Sequence, residues 1–273
     1  MSHKTYRTDK NCLNCGAFVE QKFCPNCGQE NLELKESFFH MVGHVIGDFF
    51  HFDSKFFRSF IPLFTKPGFL TNEYWSGRRA HYIHPLRLFF FVTIVMVIIS
   101  NAYYHKYEHL IKEEKIVRTG PAPNSAESKK EFEEKEREIT SMVDRTFNFL
   151  ANYLKYISFL LLPLYALIFK IFYWRHKKLY LEHLTYTLHL QSFAYIIISL
   201  LLLIPLFITP SARDWYDFAF IGITTIYMVF SLRFLYKQSW MKTILKTIIV
   251  SSVIILTTVV VVGVIMLTFL HSE

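Results

Sequence analysis

The sequence has too few charged residues for an ordinary soluble protein. Asp, Glu, Lys and Arg make up 19% of its 273 residues, against about 25% in soluble domains. None of these residues falls near the middle of a long apolar run, and this absence argues against an ion-coupled pump or transporter, which usually needs ionisable groups inside the membrane. Because 52% of the residues are hydrophobic and 18% are aromatic, the composition indicates a membrane protein.

Cysteine is absent outside residues 12–27, and the first twelve residues contain no apolar segment of the secretory signal type. One local cysteine cluster indicates a metal site in a reducing compartment rather than a disulfide framework. No Ser-His-Asp pattern, phosphate-binding glycine loop or pair of carboxylates is present, so an enzyme is not the favoured interpretation. Nucleic-acid binding is not expected, because the basic residues near the cysteines are scattered and lack an aromatic stacking pattern.

The cysteines form two C-x-N-C-G pairs twelve residues apart, Cys12 with Cys15 and Cys24 with Cys27. The glycine after each pair permits the tight turn that brings amide groups toward the sulfurs. Four thiolates in a tetrahedral set suit one structural Zn²⁺, so residues 1–30 are predicted to form a cytosolic, zinc-ribbon-like module. Metal would supply most of its folding free energy, on the order of 10 kcal/mol. A redox dithiol pair is the alternative. The predicted core consists of Leu13, Phe18, Val19 and Phe23.

Residues 31–85 are predicted to form amphipathic, interfacial helices followed by a basic segment. Phenylalanine, valine and isoleucine recur at steps of three and four residues from Phe38 to Phe64, which is helical periodicity. The opposite face contains a polar stripe, for which the sequence allows a metal or proton site or, more simply, a helix face in the lipid headgroup region. The stripe consists of His40, His44, Asp48, His51 and Lys55.

A helix break at Pro67-Gly68 is followed by a cluster of basic residues just before the first apolar run. We call Arg78, Arg79, His81, His84 and Arg87 the basic collar. Its arginines suit either positive-inside placement with snorkelling side chains or a pocket for an anion or a lipid headgroup, since guanidinium groups bind phosphate through two donors. The candidate anion-binding residues are Arg78, Arg79, His84 and Arg87.

The fold class predicted is mainly α: a polytopic helical membrane bundle of about five transmembrane helices behind the cysteine module and the amphipathic helices. Each run has the roughly 20 residues that cross a bilayer. A charged loop with a helical segment, residues 105–153, separates the first two. The predicted spans are 86–104, 154–173, 190–209, 215–236 and 244–270.

Lysine and arginine are concentrated after the second and fourth spans and nearly absent after the third and fifth. The positive-inside rule therefore predicts a cytoplasmic N-terminus and an extracytoplasmic C-terminus. The long loop 105–153 would then face outward with nine Lys and Arg residues, which is contrary to the rule. Contact with anionic lipid headgroups is expected from the net charge of +8.

Three segments together resemble an uncharacterised family of bacterial membrane proteins described only as a domain of unknown function. They are the cysteine pairs ending in FCPNCGQ, the segment GDFFHFDSKFF, and KPGFLTNEYWSGRRAHYIHPLRLFFF, which starts at Lys66. The resemblance covers roughly residues 12–92 and implies a multi-pass protein of the bacterial inner membrane with a zinc-ribbon-like N-terminus. It implies no activity. Its most motif-like positions are Asp48, His51, Asp53, Gly77, Arg78, Arg79, His84, Pro85 and Arg87.

Three functions fit these observations. The favoured one is a zinc-binding membrane adaptor or assembly factor that docks a cytosolic protein, because a metal knuckle of this size more often binds protein than catalyses. The alternative is a lipid- or anion-handling bundle that uses Arg78, Arg79 and Arg87. A membrane metalloenzyme that uses the polar stripe with His81 and His84 is less favoured.

Overall fold

The computed structural model describes residues 6–32, 55–117, 159–207 and 213–271, together with residues 134, 137, 141, 145 and 157. This part of the chain is mainly helical, as predicted, and contains seven α-helices and no strand. A 3₁₀ turn, Trp174–His176, lies between the fourth and fifth of these helices. The helices are α1 Lys55–Thr65, α2 Phe69–Trp75, α3 Pro85–Val117, α4 Phe159–Phe172, α5 Tyr180–Phe207, α6 Arg213–Tyr236 and α7 Trp240–His271.

Four of the described helices are long and apolar enough to cross a membrane. The spans are Pro85–Tyr103, Tyr180–Pro205, Phe218–Tyr236 and Trp240–Thr268, and the shortest have 19 residues. At 1.5 Å per residue, 19 residues reach about 29 Å, the thickness of a bilayer's hydrocarbon core. They overlap the first, third, fourth and fifth predicted spans. The described part of the second is α4, which is shorter, and most of the predicted start of that span lies outside the described residues.

Two helices extend beyond the predicted spans. Helix α3 continues to Val117, so the predicted loop 105–153 begins as helix; most of the rest of that loop lies outside the described residues. Helix α5 begins ten residues before the predicted span. Its first turn is capped by Glu182, whose carboxylate accepts a hydrogen bond from the Leu179 N–H at 2.6 Å and pairs with Lys178 at 2.8 Å. A carboxylate at this position satisfies a free N–H group and complements the helix dipole.

Helices α1 and α2 form a hairpin that packs against the bundle. The predicted break at Pro67-Gly68 is its turn, and Gly68 has the left-handed φ of 82°. A Cβ at Gly68 would lie 3.0 Å from the Ser231 carbonyl oxygen of α6, so only glycine fits this approach. On the α1 side, the Phe64 and Phe193 rings pack with centroids 5.4 Å apart.

Helix α5 is the central helix of the bundle, because its side chains belong to three buried clusters. Leu184 and Leu188 pack against α3 and α4, Phe193 packs against the hairpin and α6, and Tyr186 packs against α4 and α6. The outer faces of the spans are apolar and exposed, which is the surface that lipid would cover. Examples are Ile98, Leu200, Ile226 and Leu256.

Candidate metal centre and the basic loop beside it

The two cysteine pairs fold into two matching turns. In the first, the Cys12 N–H donates to the Ala17 carbonyl and the Gly16 N–H donates to the Cys12 carbonyl, both at 2.9 Å. The second turn repeats both bonds twelve residues later, with Cys24, Gln29 and Gly28 in the same places and again at 2.9 Å. Gly16 and Gly28 have φ values of 75° and 72°. Each turn therefore needs its glycine, as the repeated sequence pattern predicts.

The turns bring the four sulfurs together. All four lie within 4.8 Å of one another; the Sγ atoms of Cys12 and Cys27 are 3.6 Å apart, and those of Cys15 and Cys24 are 3.5 Å apart. The cysteines are free thiols. Zinc–sulfur bonds of about 2.3 Å in a tetrahedron place sulfurs about 3.8 Å apart. The set therefore fits a four-coordinate metal ion, and it is the one such set among the residues that the structure describes.

Cys15 and Cys27 lie in different environments, which shift the pKa values of their thiols in opposite directions. A hydrogen bond from the Ala17 N–H lowers the pKa of Cys15 to about 6. Burial, together with the sulfurs of Cys12 and Cys15, raises the pKa of Cys27 to about 12, although the Gln29 N–H acts in the opposite direction. Clustered thiols resist joint ionisation, and a bound metal ion removes that resistance because it pairs with every thiolate.

The module, residues 6–32, has almost no apolar core. Cys12, Val19 and Cys24 are its buried apolar side chains. Two of the predicted core residues, Phe18 and Phe23, are instead 56% and 55% exposed. The sequence pattern did not predict this exposure, because it depends on the two turns, which direct both aromatic rings outward beside the cysteines. The module therefore buries little apolar surface, and two of its three buried side chains are candidate metal ligands.

The module is attached to the basic collar through the side chain of Gln29. Its Nε2 donates to the Gly77 carbonyl at 2.8 Å. Its Oε1 accepts from the backbone N–H groups of Arg79 and Ala80, both at 3.1 Å. The sequence analysis missed Gln29, although it directly follows the second C-x-N-C-G pattern.

The collar residues make contacts within the hairpin and its following loop. The Arg78 guanidinium binds the Glu73 carboxylate through two donors, with Nε 2.6 Å from Oε2, and this bond raises the pKa of Arg78. The Arg79 guanidinium lies 4.2 Å from the Tyr74 ring centroid. The Tyr74 hydroxyl is 3.0 Å from His84 Nε2. These residues form one connected unit, while Arg87 lies half-buried in the first turn of α3.

A buried polar network lies behind the hairpin, and the sequence analysis missed it. Thr71 Oγ1 is 2.9 Å from His189 Nδ1. His189 lies nine residues after Tyr180, the first residue of α5, and therefore about 14 Å along that helix. The Tyr236 hydroxyl is 3.0 Å from His183 Nδ1. The signal was present as histidines among the leucines of residues 179–189, which the prediction placed outside a span. At the start of α5, Trp75 Nε1 donates to the Glu182 carbonyl at 2.9 Å.

Four of the five residues of the predicted polar stripe, His40, His44, Asp48 and His51, lie outside the described residues. The fifth, Lys55, is the first residue of α1. The structure therefore brings together the four cysteines and, separately, Arg78, Arg79 and His84. It links the two groups through Gln29.

Comparison with known proteins gives one match. The model of a family described as "Protein of unknown function (DUF3667)" matches residues 53–97. That segment contains the hairpin, the basic collar and the first part of α3, so the similarity covers the unit that Gln29 contacts. No curated protein and no solved structure matches the chain.

Proposed function

We propose that this chain is a zinc-binding membrane adaptor or assembly factor that docks a cytosolic protein at the bacterial inner membrane. The main support is the contact of Gln29 with residues 77–80, which attaches a metal-binding module to the end of a helical bundle. Phe18 and Phe23 stay exposed on that module. Exposed aromatic side chains are typical anchors of protein interfaces.

Zinc is the ion proposed for the module, because it prefers four thiolates in tetrahedral geometry and undergoes no redox change. Cys12, Cys15, Cys24 and Cys27 would hold it. The residues fit by distance, and the N–H donors of Ala17 and Gln29 favour the thiolate forms that a metal needs. Bound zinc would fix both turns and thus the exposed surface around them.

The proposed orientation places the module in the cytoplasm. Trp75, near the end of the hairpin, contacts the Glu182 backbone, so the module and the first turn of α5 lie at the same end of the bundle. Arg175, Lys177 and Lys178 precede that turn. Basic residues cluster on the cytoplasmic side of membrane proteins, which supports a cytoplasmic module and an extracytoplasmic C-terminus.

The proposal is tested by crosslinking in native membranes and purification of the full chain. A Cys24→Ser, Cys27→Ser variant and a Phe18→Ser, Phe23→Ser variant are compared with the intact chain at equal membrane abundance. We expect one protein to be captured by the intact chain and lost from both variants, because the first lacks metal and the second lacks the aromatic contacts.

The matched control is Gln21→Ala, which changes an exposed glutamine of the same module and should keep the partner. Capture of the same protein by all four chains, or no specific capture by the intact chain, would contradict the adaptor proposal. The metalloenzyme hypothesis uses His81 and His84 together with His40, His44, Asp48 and His51. Because those last four lie outside the described residues, it stays a prediction.

A further inference from the structure

We propose that two short turns at one end of the bundle form a binding site for an anionic phospholipid. The turns are residues 173–179, between α4 and α5, and residues 237–239, between α6 and α7. We call them the paired basic turns. The site is separate from the basic collar and from the cysteine module. The inference goes beyond the adaptor function, because it concerns a lipid rather than a protein.

Side-chain contacts hold the paired basic turns against each other. The Nε2 atoms of His176 and Gln238 are 2.8 Å apart. The Lys246 ammonium, in α7, donates to the Phe172 carbonyl at the end of α4 at 3.2 Å. The turns therefore lie side by side, and their side chains share one surface.

This surface has an excess of positive charge. Its cations are Arg175, Lys177, Lys178, Lys237, Lys242 and Lys246. The sequence has one acidic residue, Glu182, between positions 170 and 213 and none between positions 218 and 272. Glu182 pairs with Lys178 at 2.8 Å, and no carboxylate in the described part of the chain pairs with the other five cations. Such a surface attracts anions.

Two of these lysines occupy backbone positions that usually suit glycine. Lys177 and Lys237 have φ values of 51° and 49°, and helices commonly end with a glycine in this left-handed conformation. Both lysines are exposed, so packing does not require their side chains. A cation at a helix end is favoured by the helix dipole. It also places an ammonium group in each turn, where a phosphate can reach it.

Aromatic and apolar side chains border the cations, and they favour a phospholipid over a soluble anion. Trp174 and Trp240 are 69% and 46% exposed, and the Arg175 guanidinium lies 5.6 Å from the Trp174 ring centroid. Tryptophan is typical of the membrane interface, where its ring lies at headgroup level. Ile171 at the end of α4 and Leu245 in the first part of α7 are also exposed. A ligand with a phosphate and acyl chains matches both parts of this surface.

The ligand class is a phospholipid whose headgroup has a net negative charge. Guanidinium and ammonium groups bind phosphate oxygens through charge-assisted hydrogen bonds, and clusters of lysine and arginine beside membrane helices recognise anionic lipids. Phosphatidylglycerol has this charge. Phosphatidylcholine has the same phosphate and similar acyl chains, but its choline cancels the charge, so the two lipids form a matched pair of probes.

The experiment uses the full chain, freed of lipid, in a maltoside detergent. Phosphatidylglycerol or phosphatidylcholine with brominated acyl chains is titrated into the micelles, and the quenching of tryptophan fluorescence is recorded. Bromine quenches at contact, so the signal reports acyl chains beside Trp174 and Trp240. We expect half-maximal quenching at a mole fraction of phosphatidylglycerol about 25-fold or more below that of phosphatidylcholine, because each basic residue strengthens binding to anionic lipid about fivefold. Trp174→Phe combined with Trp240→Phe should remove most of this difference.

Lys177→Gly combined with Lys237→Gly removes two cations and keeps a backbone conformation that glycine adopts readily. The mole fraction of phosphatidylglycerol needed should rise about 25-fold, while quenching by phosphatidylcholine stays unchanged and shows that the chain is folded. Arg175→Gln combined with Lys242→Gln should have the same effect without a change at either left-handed position. The matched control is Arg58→Gln with Lys66→Gln, which removes two exposed cations of the hairpin and should keep the lipid preference.

Three results would overturn the proposal. If both variants of the turns keep the preference for phosphatidylglycerol, the cations act only on the helix ends. If the control loses the preference as fully as they do, net charge alone attracts the lipid. If inorganic phosphate in molar excess reverses the quenching, the turns bind a free anion and not a phospholipid. The experiment involves no protein partner and leaves the cysteine module unchanged, so its outcome is independent of the adaptor test.

Discussion

The cysteine module and the helical bundle are stabilised by different means. In the module, Cys12, Val19 and Cys24 are the buried apolar side chains, and two of the three are candidate metal ligands. In the bundle, large side chains such as Phe89, Tyr186 and Leu188 are fully buried around α5. Between membrane helices, such packing stabilises the bundle through van der Waals contacts and interhelical hydrogen bonds. The module has no comparable core, so we expect its fold to depend on a bound metal ion.

The largest expected effect follows from metal removal. A Cys24→Ser, Cys27→Ser variant should lose the module's fold, because zinc binding supplies on the order of 10 kcal/mol in small modules of this type. Hydrogen exchange of the Cys12 and Gly16 amides should become fast. Exchange in α5 and helicity by circular dichroism should stay as in the intact chain.

A chelator added to the intact chain provides the independent check, and readdition of zinc should restore slow exchange. If the module's amides stay protected without metal, its apolar contacts suffice. The contrast between the two regions would then be wrong.

The next effect tests whether the hairpin belongs to the bundle's packing. Gly68→Ala should lower the free energy of unfolding by about 2 kcal/mol or more, because a left-handed φ costs a non-glycine residue about 1–2 kcal/mol and the new Cβ would lie 3.0 Å from the Ser231 carbonyl. Thermal unfolding in detergent measures it. Gly222→Ala is the control, because no atom lies within 4 Å of a Cβ built there, and it should stabilise α6 slightly.

The third effect concerns the polar part of the bundle's core. Thr71→Val should cost about 1–3 kcal/mol, because it leaves His189 buried without its 2.9 Å partner. Thr71→Val combined with His189→Leu should cost less than the sum of the two single changes, since both partners are then apolar. Purely additive costs would show that the pair does not contribute through this bond.

Much of this architecture could be predicted from the sequence. Long apolar runs indicate helices, because a segment inside the membrane must satisfy its own backbone hydrogen bonds and a helix does so. Four of the predicted runs correspond to long apolar helices. The C-x-N-C-G repeat predicted four cysteines close enough to share an ion, and the Sγ distances confirm it. The break at Pro67-Gly68 is the hairpin turn. These features depend on local sequence.

The features that were missed depend on contacts between distant residues. Gln29 and Gly77 are 48 positions apart, and Thr71 and His189 are 118 apart. No pattern within one helix reports such pairs. Hydropathy also placed the start of the third span at residue 190, because the polar side chains of residues 180–189 suggested a loop. His183 and His189 instead face the buried interior.

The smallest expected effect is the pH dependence of stability that comes from His176, which lies near Lys246 and Lys178. Burial, with Lys246 and Lys178 nearby, lowers the pKa of His176 below 6.5, and its Nε2 lies 2.8 Å from Gln238 Nε2. As pH falls through 6.5, the unfolded chain takes up a proton at this histidine before the folded chain does. Stability should therefore be constant above that pH and decrease below it. Thermal unfolding between about pH 5 and pH 7.5 should show this slope in the intact chain and in His81→Gln, an exposed collar histidine. His176→Gln should reduce the slope without abolishing it, because His183 and His189 are also buried in the folded chain. An unchanged slope in that variant would show that another titratable group causes the pH dependence. His176 would then not contribute to the bundle's stability, which would come from its apolar core and its buried hydrogen bonds.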